Sequence, residues 1–390
     1  MALSKKTIRD LDLTGKRVLM RCDFNVPLDG DRITDDIRIT ASLPTIQFAL
    51  EAGAKVVLCS HLGRPNGERN MKYSLSPVAK RLSELLGFDV VLVEDCIGEA
   101  AGSAVAGLES GKAVLLENVR FHGAEEENDP EFAARLASLA DVFVNDAFGT
   151  AHRAHASTEG VAHLLPAVAG FLIEKEIDFL GKAVEDPKRP FVAIMGGAKV
   201  KDKIQVIDSL LPKVDQLVIG GGMAYTFYKA QGWEIGQSLL DADSMDYCLE
   251  VMKTGKIVLP TDTVVAPTFA ADAPPTVVAS NAIPSDQMGL DVGPETAQRF
   301  REIAAGAGTV LWNGPMGVFE FDAFAHGTRE VALGLTECQG ISIVGGGDSA
   351  AAIEKFGLAD RVSHVSTGGG ASLEFLEGKV LPGIAALLDA

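Results

Sequence analysis

The feature that most constrains this chain is a recurring one, a short apolar run that breaks into glycine. Residues 341–352 read ISIVGGGDSAAA: a strand-forming run, then Gly345, Gly346 and Gly347, then Asp348, Ser349 and an alanine-rich helical stretch. The pattern predicts a buried parallel strand turning straight into a helix, with glycine where the backbone must turn tightly or come close to another group. Free N–H groups at the start of such a helix carry partial positive charge, so the turn suits phosphate oxygens and Asp348 suits a cation. A tight turn alone would need the same glycines, and one cluster does not separate the two readings. Repetition adds weight, because a strand runs into glycine again at 192–199 (VAIMGGAK), 217–224 (LVIGGGMA), 310–317 (VLWNGPMG) and 364–371 (HVSTGGGA).

The first half alternates apolar strands with helical patterns. Strands are predicted at 17–20, 56–59, 90–93, 114–116 and 142–144, and they lead into RCDFNVP, SHLGRP, EDC, ENVRFH and NDAFGTAHRAH. Helices are predicted at 35–51 and 76–86, the second with Ser76 as its cap and Pro77 at its first position. Residues 160–180 read as one long apolar helix, and GKAVEDPKRP after it as a domain junction. A second strand series follows at 191–195, 216–219, 257–259, 309–312, 341–344 and 363–366. Near-continuous apolar strands separated by helices imply parallel sheets covered on both faces. At 390 residues the chain has room for two such domains. The expected fold is therefore α/β, with two doubly wound, Rossmann-like domains facing a cleft.

Right-handed crossovers place every strand's carboxyl end on one edge of its sheet. In the first half this gathers Asp23, Asn25, His61, Arg64, Arg120, His152, Arg153 and His155. Net charge is −18, which excludes general nucleic-acid binding and makes Arg21, Arg38, Arg64, Arg120 and Arg153 at strand ends conspicuous. Guanidinium groups match phosphate and carboxylate geometry, so an anionic ligand is expected there, although ordinary surface salt bridges account for any one of them. The second half offers backbone amides, lysines and Asp348 instead. Lys199 and Lys203 stand four apart, on one face if a helix starts promptly. Neither the phosphate-loop spacing nor a dinucleotide fingerprint with its acidic partner occurs.

The longest apolar stretch, 161–173, is interrupted by His163, Pro166 and Gly170 and is too short to span a bilayer. The first residues, MALSKKTIRDLDL, lack the apolar segment of a secretory signal. Five scattered cysteines suggest neither a zinc site nor a disulfide framework. A cytoplasmic location is expected.

At RCDFNVP, SHLGRP, ENVRFH, NDAFGTAHRAH, GGAKVKDK, GGGMAYTF, WNGPMGVFE, GGGDSA and STGGGAS, in that order over 14–383, the sequence resembles the phosphoglycerate kinases. The resemblance implies magnesium-dependent phosphoryl transfer between ATP and the carboxylate of 3-phosphoglycerate, giving ADP and 1,3-bisphosphoglycerate, in a monomer that binds neither nucleic acid nor membrane. It implies that Arg21, Asp23, Asn25, Arg38, His61, Leu62, Gly63, Arg64, Arg120, His152 and Arg153 serve the acid. It assigns Gly196, Gly197, Ala198, Lys199 and Lys203 to the nucleotide phosphates. Gly220, Gly221, Gly222, Gly293, Asn313, Pro315 and Val318 would form the adenosine pocket, Glu320 would contact the ribose, and Asp348 would hold Mg2+ beside Ser349. Arg38, Lys203 and the amides of Gly346, Gly347, Gly369 and Gly370 would share charge on the transferring group. Lys201 and Ser349 depart from the usual pattern, where a small residue and a threonine are common. The resemblance further implies a first domain of 1–170 plus 374–390 and a second of 171–373, with hinges at 160–180 and 367–374. A non-catalytic two-domain binder of a phosphorylated ligand and a nicotinamide dehydrogenase are the alternatives. The binder leaves the glycine-and-lysine edge unexplained, and the dehydrogenase lacks its fingerprint.

Overall fold

The computed structural model describes residues 4–366 and 368–390. Residues 1–3 of the leading sequence and Thr367 of the STGGGAS motif and the expected 367–374 hinge lie outside them. The chain forms two compact units, one of residues up to Asp178 together with Val380–Ala390, the other of Phe179–Lys379.

In chain order the first unit contains β1 (Arg17–Arg21), the hairpin β2 (Leu28–Asp29) and β3 (Arg32–Ile33), α1 (Ile37–Glu51), β4 (Lys55–Cys59), α2 (Ser76–Leu86), β5 (Val91–Val93), α3 (Gly98–Ala106), β6 (Lys112–Leu116), α4 (Gly123–Glu126), α5 (Pro130–Ala137), β7 (Val142–Asn145), β8 (Ala167–Ala169) and the start of α6 (Phe171–Glu185). Its parallel sheet has the order β5-β6-β4-β1-β7-β8. Val18, Met20, Val56, Leu58, Leu115 and Val144 are buried beneath α1 and α2 residues such as Ile39, Ile46, Val78 and Leu82. The cap of α2 differs from expectation. Leu75 precedes the helix and Ser76 lies within it. The buried Glu117 fixes this start instead, accepting from Ser74 Oγ at 2.7 Å and the Leu75 N–H at 2.9 Å.

The long helix expected over 160–180 does not form. A 3-10 turn, Gly160–His163, is followed by β8, and α6 begins only at Phe171. Pro166 lacks an N–H and its ring clashes with the preceding turn, so one helix cannot run through it. Gly170 then passes so close to Asp146 that a Cβ would stand 2.1 Å from its Oδ1. Asp146 Oδ1 accepts the Leu172 N–H at 2.9 Å and Thr45 Oγ1 accepts the Phe171 N–H at 3.1 Å, and these start α6.

The second unit contains β9 (Phe191–Met195), α7 (Ile204–Leu210), β10 (Gln216–Ile219), α8 (Met223–Ala230), α9 (Met245–Met252), β11 (Ile257–Val258), β12 (Asp262–Ala266), β13 (Thr276–Ala279), β14 (Met288–Val292), α10 (Pro294–Ala305), β15 (Thr309–Asn313), α11 (His326–Glu337), β16 (Ile341–Val344), α12 (Gly347–Lys355), β17 (His364–Val365) and α13 (Gly370–Leu376). A last short helix, α14 (Pro382–Ala385), belongs to the first unit. The second parallel sheet has the order β11-β10-β9-β15-β16-β17. Trp312, Phe300, Val331 and Ile353 are among its buried core residues. A separate antiparallel sheet, β13-β12-β14, was not expected from the sequence.

Candidate functional site

Each parallel sheet reverses its winding at one place. In the first, β1 connects toward β4 while β7 connects toward β8, and β1 and β7 are neighbours. In the second, β9 leads outward to β10 and β15 to β16, and β9 and β15 are neighbours. At such a switch point the loops after the two strands diverge and leave a crevice at their carboxyl ends. Most of the sequence-selected residues follow these strands or their neighbours.

In the first unit, Arg38 from the first turn of α1 pairs with Asp23 after β1. Asn25 Oδ1 accepts the Gly63 N–H at 2.9 Å, and Arg120 donates to the Gly63 carbonyl at 3.1 Å. The SHLGRP loop is thereby tied between the loop after β1 and the turn after β6. Gly63 has φ +62°, and a Cβ there would enter the Tyr73 ring at 2.4 Å. Asn118 shapes the same turn, donating to Leu62 O at 2.8 Å and accepting the Arg120 N–H at 3.0 Å. Arg64 is exposed, whereas Arg120 is buried, with Glu126 at 3.5 Å as its carboxylate neighbour. Arg153 donates to His152 Nε2 at 3.3 Å.

Positive charge dominates this cluster. Burial, then Arg21, Arg120, Arg38 and Arg153, holds His61 well below the usual imidazole range. His155 is pushed down to about 3 by burial and then by Arg120, Arg21 and Arg153. Burial, followed by Arg21, lowers Arg120 to about 10. Guanidinium groups gathered beside neutral imidazoles form a surface that an anion would relieve. Arg21 itself is fully buried, bonded to Ser157, the Cys22 carbonyl and His61, and so lies behind His61. Ser157 and Glu125, which complete its surroundings, were not singled out from the sequence.

In the second unit the backbone comes unusually close to itself. Gly196 donates to Asn313 O at 3.0 Å, and a Cβ on it would stand 2.0 Å from Pro315 O. Gly314, at φ +101°, would collide with Gly196 in the same way, its Cβ 2.2 Å from the carbonyl oxygen. Gly221 and Gly222 are packed against Gly197 and Ala198, and Gly220 leaves no room between itself and Met316 Sδ, 2.4 Å from a Cβ. Gly293 is pressed against the Asp262 carboxylate. Val318 donates to Leu290 O at 2.8 Å, which fixes the loop that carries Pro315 and the exposed Glu320. Glycine is thus required by contact at the turns after β9, β10 and β15, where the N–H groups of Gly196, Gly220, Gly221 and Gly314 are donated to neighbouring protein oxygens, so these turns meet the tight-turn reading.

Lys203 Nζ bonds Asn313 Oδ1. Burial lowers the Lys203 amine, opposed by Asp348 and Asp202. Lys199 and Lys203 do not share a helical face, because Lys199 is extended, a 3-10 turn spans Val200–Asp202, and α7 begins at Ile204. The Asp241 carboxylate accepting the Lys201 N–H at 2.8 Å holds that turn out of the helix. α12 begins at Gly347 behind Gly346, at φ +91°, with an exposed Asp348 in its first turn. The buried Ser349 Oγ accepts the Gly314 N–H at 2.6 Å, so its hydroxyl ties the β15 loop to α12. Gly369, at φ +52°, precedes Gly370 at the start of α13.

A carboxylate, a thiol and an imidazole also meet at Asp95, Cys96 and His122, within 4.8 Å of one another. There His122 Nε2 and Asp95 Oδ1 already bond at 2.7 Å, and burial pushes the Cys96 thiol well up, away from the thiolate a metal would need.

The profile of the family described as Phosphoglycerate kinase matches residues 8–379. The phosphoglycerate kinase of Moorella thermoacetica is 59% identical over 392 residues, covering 99% of this chain and 100% of the relative. That of Borrelia hermsii is 56% identical over 390 residues, with the same coverage. This chain belongs to the phosphoglycerate kinase family. The solved phosphoglycerate kinase of Coxiella burnetii superimposes with a TM-score of 0.90 at 46% identity, covering 98% of each chain. That of Pyrococcus horikoshii gives 0.87 at 34% identity, with 98% of each chain covered. As a phosphoglycerate kinase the chain is a phosphotransferase of glycolysis. It interconverts ATP and 3-phosphoglycerate with ADP and 1,3-bisphosphoglycerate, and the family binds ATP and magnesium. Among the described residues no helix is long and apolar enough to cross a membrane.

Proposed function

We propose how this chain divides the phosphoglycerate kinase reaction among its residues. The first domain binds 3-phosphoglycerate through Asp23, Asn25, Arg38, His61, Leu62, Gly63, Arg64, Arg120, His152 and Arg153. The second binds the nucleotide. Its phosphates lie on Gly196, Gly197, Ala198, Lys199, Lys203 and the amides following β16. Its adenosine lies against Gly220, Gly221, Gly222, Gly293, Asn313, Pro315 and Val318, with Glu320 at the ribose. The observation that carries this reading is the crossing of Gly196, Gly197, Gly221 and Gly314, where three side-chain-free loops meet beside the desolvated amine of Lys203.

Magnesium fits Asp348, an exposed carboxylate near the Lys203 amine, since a hard divalent cation takes carboxylate and phosphate oxygens. When bound, the ion neutralises charge on the phosphate oxygens. A substrate carboxylate oxygen attacks the terminal phosphorus, the bond to the bridging oxygen breaks, and ADP leaves with the electron pair. The attacking carboxylate is already ionised, so no general base is required. Lys203 and Arg38 neutralise the phosphoryl group in flight, and the Gly346, Gly347, Gly369 and Gly370 amides donate to its oxygens. The working form is a cytoplasmic monomer.

Steady-state turnover of ATP and 3-phosphoglycerate, coupled to reduction of 1,3-bisphosphoglycerate, tests the assignment. Lys203→Ala and Arg38→Ala should each lower kcat by about 10²-fold, the usual cost of losing one transition-state donor. Removing magnesium by chelation should abolish turnover and adding it back should restore it. A folded Lys203→Ala or Arg38→Ala enzyme with near-normal kcat would exclude that residue from the transfer step.

A further inference from the structure

The cation cluster of the first unit rests on a buried set of hydrogen bonds that run outward from Arg21. Glu125 is fully buried and accepts twice from Ser157, from its N–H at 2.8 Å and from its hydroxyl at 2.6 Å. A hydroxyl has one proton, and here Glu125 takes it. Ser157 Oγ therefore turns a lone pair toward Arg21 Nε, 2.8 Å away, and accepts. Arginine can only donate, so its contact at 3.3 Å with His61 Nδ1 makes that nitrogen the acceptor. The neutral ring then carries its one proton on Nε2.

We propose that Glu125, Ser157 and Arg21 are positioning residues: Glu125 and Ser157 anchor the Arg21 guanidinium, and Arg21 fixes His61 as the Nε2–H tautomer, so that the ring presents an N–H donor to the acid substrate. The inference rests on the assignment of His61 to the 3-phosphoglycerate site. The alternative tautomer would set Nδ1–H against an Arg21 N–H, two donors facing each other in a buried place. A protonated ring would do the same and add a charge beside Arg21, Arg120, Arg38 and Arg153, the groups that with burial hold His61 neutral. The titratable groups around the chain include His155, with Nδ1 3.8 Å from Glu125, Glu126, which faces Arg120, and the buried thiols Cys22, Cys59 and Cys96. Glu125 is thus the carboxylate that, through Ser157, anchors the Arg21 guanidinium. Glu125→Gln keeps its shape and weakens that anchor, because an amide accepts at one end only. If its NH2 meets Ser157 Oγ, the hydroxyl proton loses its acceptor and the hold on Arg21 loosens.

The test uses the full-length enzyme with 15N-labelled histidine and long-range proton–nitrogen correlation spectra, with His61 assigned from its loss in His61→Gln. The expected result is an Nε2-protonated His61 whose spectrum does not change from about pH 5.5 to pH 8, where an ordinary imidazole titrates. Arg21→Met should release the ring, giving mixed tautomers. Glu125→Gln and Ser157→Ala should each raise KM for 3-phosphoglycerate about tenfold, the scale of one hydrogen bond to a charged group. The KM for ATP, which reports on the fold elsewhere, should change less than twofold. In an Arg21→Met background both substitutions should add less than twofold, since their effect passes through Arg21. An Nδ1-protonated His61 in the wild type overturns the proposal, as does a KM effect of equal size with Arg21 absent. If Glu125→Gln does not fold, Ser157→Ala carries the cycle. Should His61→Gln leave KM for 3-phosphoglycerate unchanged while the tautomer is as expected, the site assignment falls and the chain stands.

Discussion

Gly196→Ala is the sharpest perturbation of the nucleotide unit. The added methyl would lie 2.0 Å from Pro315 O, 2.6 Å from Gly314 O and 2.7 Å from Pro315 C, all backbone atoms that cannot rotate away. Ordinary carbon–oxygen contact needs more than an ångström of further separation, so the loop after β15 must move. Overpacking of this kind costs about 1–3 kcal/mol. If the shift also breaks the bond from Gly196 N–H to Asn313 O, about 1 kcal/mol is added. The sum, about 2–4 kcal/mol, lowers the unfolding midpoint by roughly 2–4 °C per kcal/mol for a unit of this size. Tryptophan emission is the appropriate signal. The chain has two tryptophans, Trp233 and Trp312, and both lie in the second unit, Trp312 bonded to Gly314 O at 2.7 Å. A thermal melt followed at that emission should shift by roughly 4–16 °C, while circular dichroism of the first unit's transition stays in place. Nucleotide affinity should fall with it, because Asn313 and Lys203 move with the loop. An unchanged midpoint together with wild-type ATP binding would refute the claim that backbone contact demands glycine here.

Thr328→Val keeps shape but leaves the Met316 N–H, now accepted at 3.1 Å, unpaired in a buried place, and should cost about 1–3 kcal/mol in the same melt. Gly102→Ala lies within α3 where a Cβ meets nothing within 4 Å, so it should stabilise the first unit by about 0.5–1 kcal/mol, seen by circular dichroism. Burial pushes Asp146 up to about 8 from the ordinary 3.8, so between those values the folded chain holds a proton that the unfolded chain has lost. Its contribution is complete below the lower value and is lost as pH rises through the upper one. Asp146→Asn cannot ionise and still accepts the Leu172 N–H. It should flatten the decline in stability between roughly pH 4 and pH 8 in urea titrations, and an unaltered slope would show that Asp146 is not its source.

The parallel strands were readable because their residues are apolar on both faces, and the glycines because a close backbone approach leaves no alternative residue. What failed needed knowledge of partners far away in sequence. β8 is three buried residues, too short to signal itself, and its place beside β7 is set by the sheet. The antiparallel sheet pairs Asp262–Ala266 with strands whose own patterns are weak, an exposed Thr276–Ala279 and a Met288–Val292 containing glycine and aspartate. The i, i+4 lysines were a correct spacing on a helix that starts too late, because Asp241, distant in sequence, holds the Lys201 N–H. Arg21 ends a buried strand, and whether its guanidinium faces ligand or protein depends on Ser157. Glu125, the buried carboxylate behind Ser157, left no trace in the local pattern.

The first unit is stitched from both ends of the chain. Lys6 N–H bonds Leu388 O at 2.9 Å, Ala390 N–H bonds Ser4 O at 3.1 Å, Leu388 N–H bonds Ala167 O at 2.9 Å, and Lys5 Nζ reaches Asp389 at 2.7 Å. During synthesis, then, the second unit is finished once residue 379 has emerged, while the half made first waits open for residues translated after it. The order of manufacture and the order of completion are reversed. A ribosome-bound chain stopped short of Leu388 would expose one margin of its older half to chaperones and proteases, with its younger half already closed.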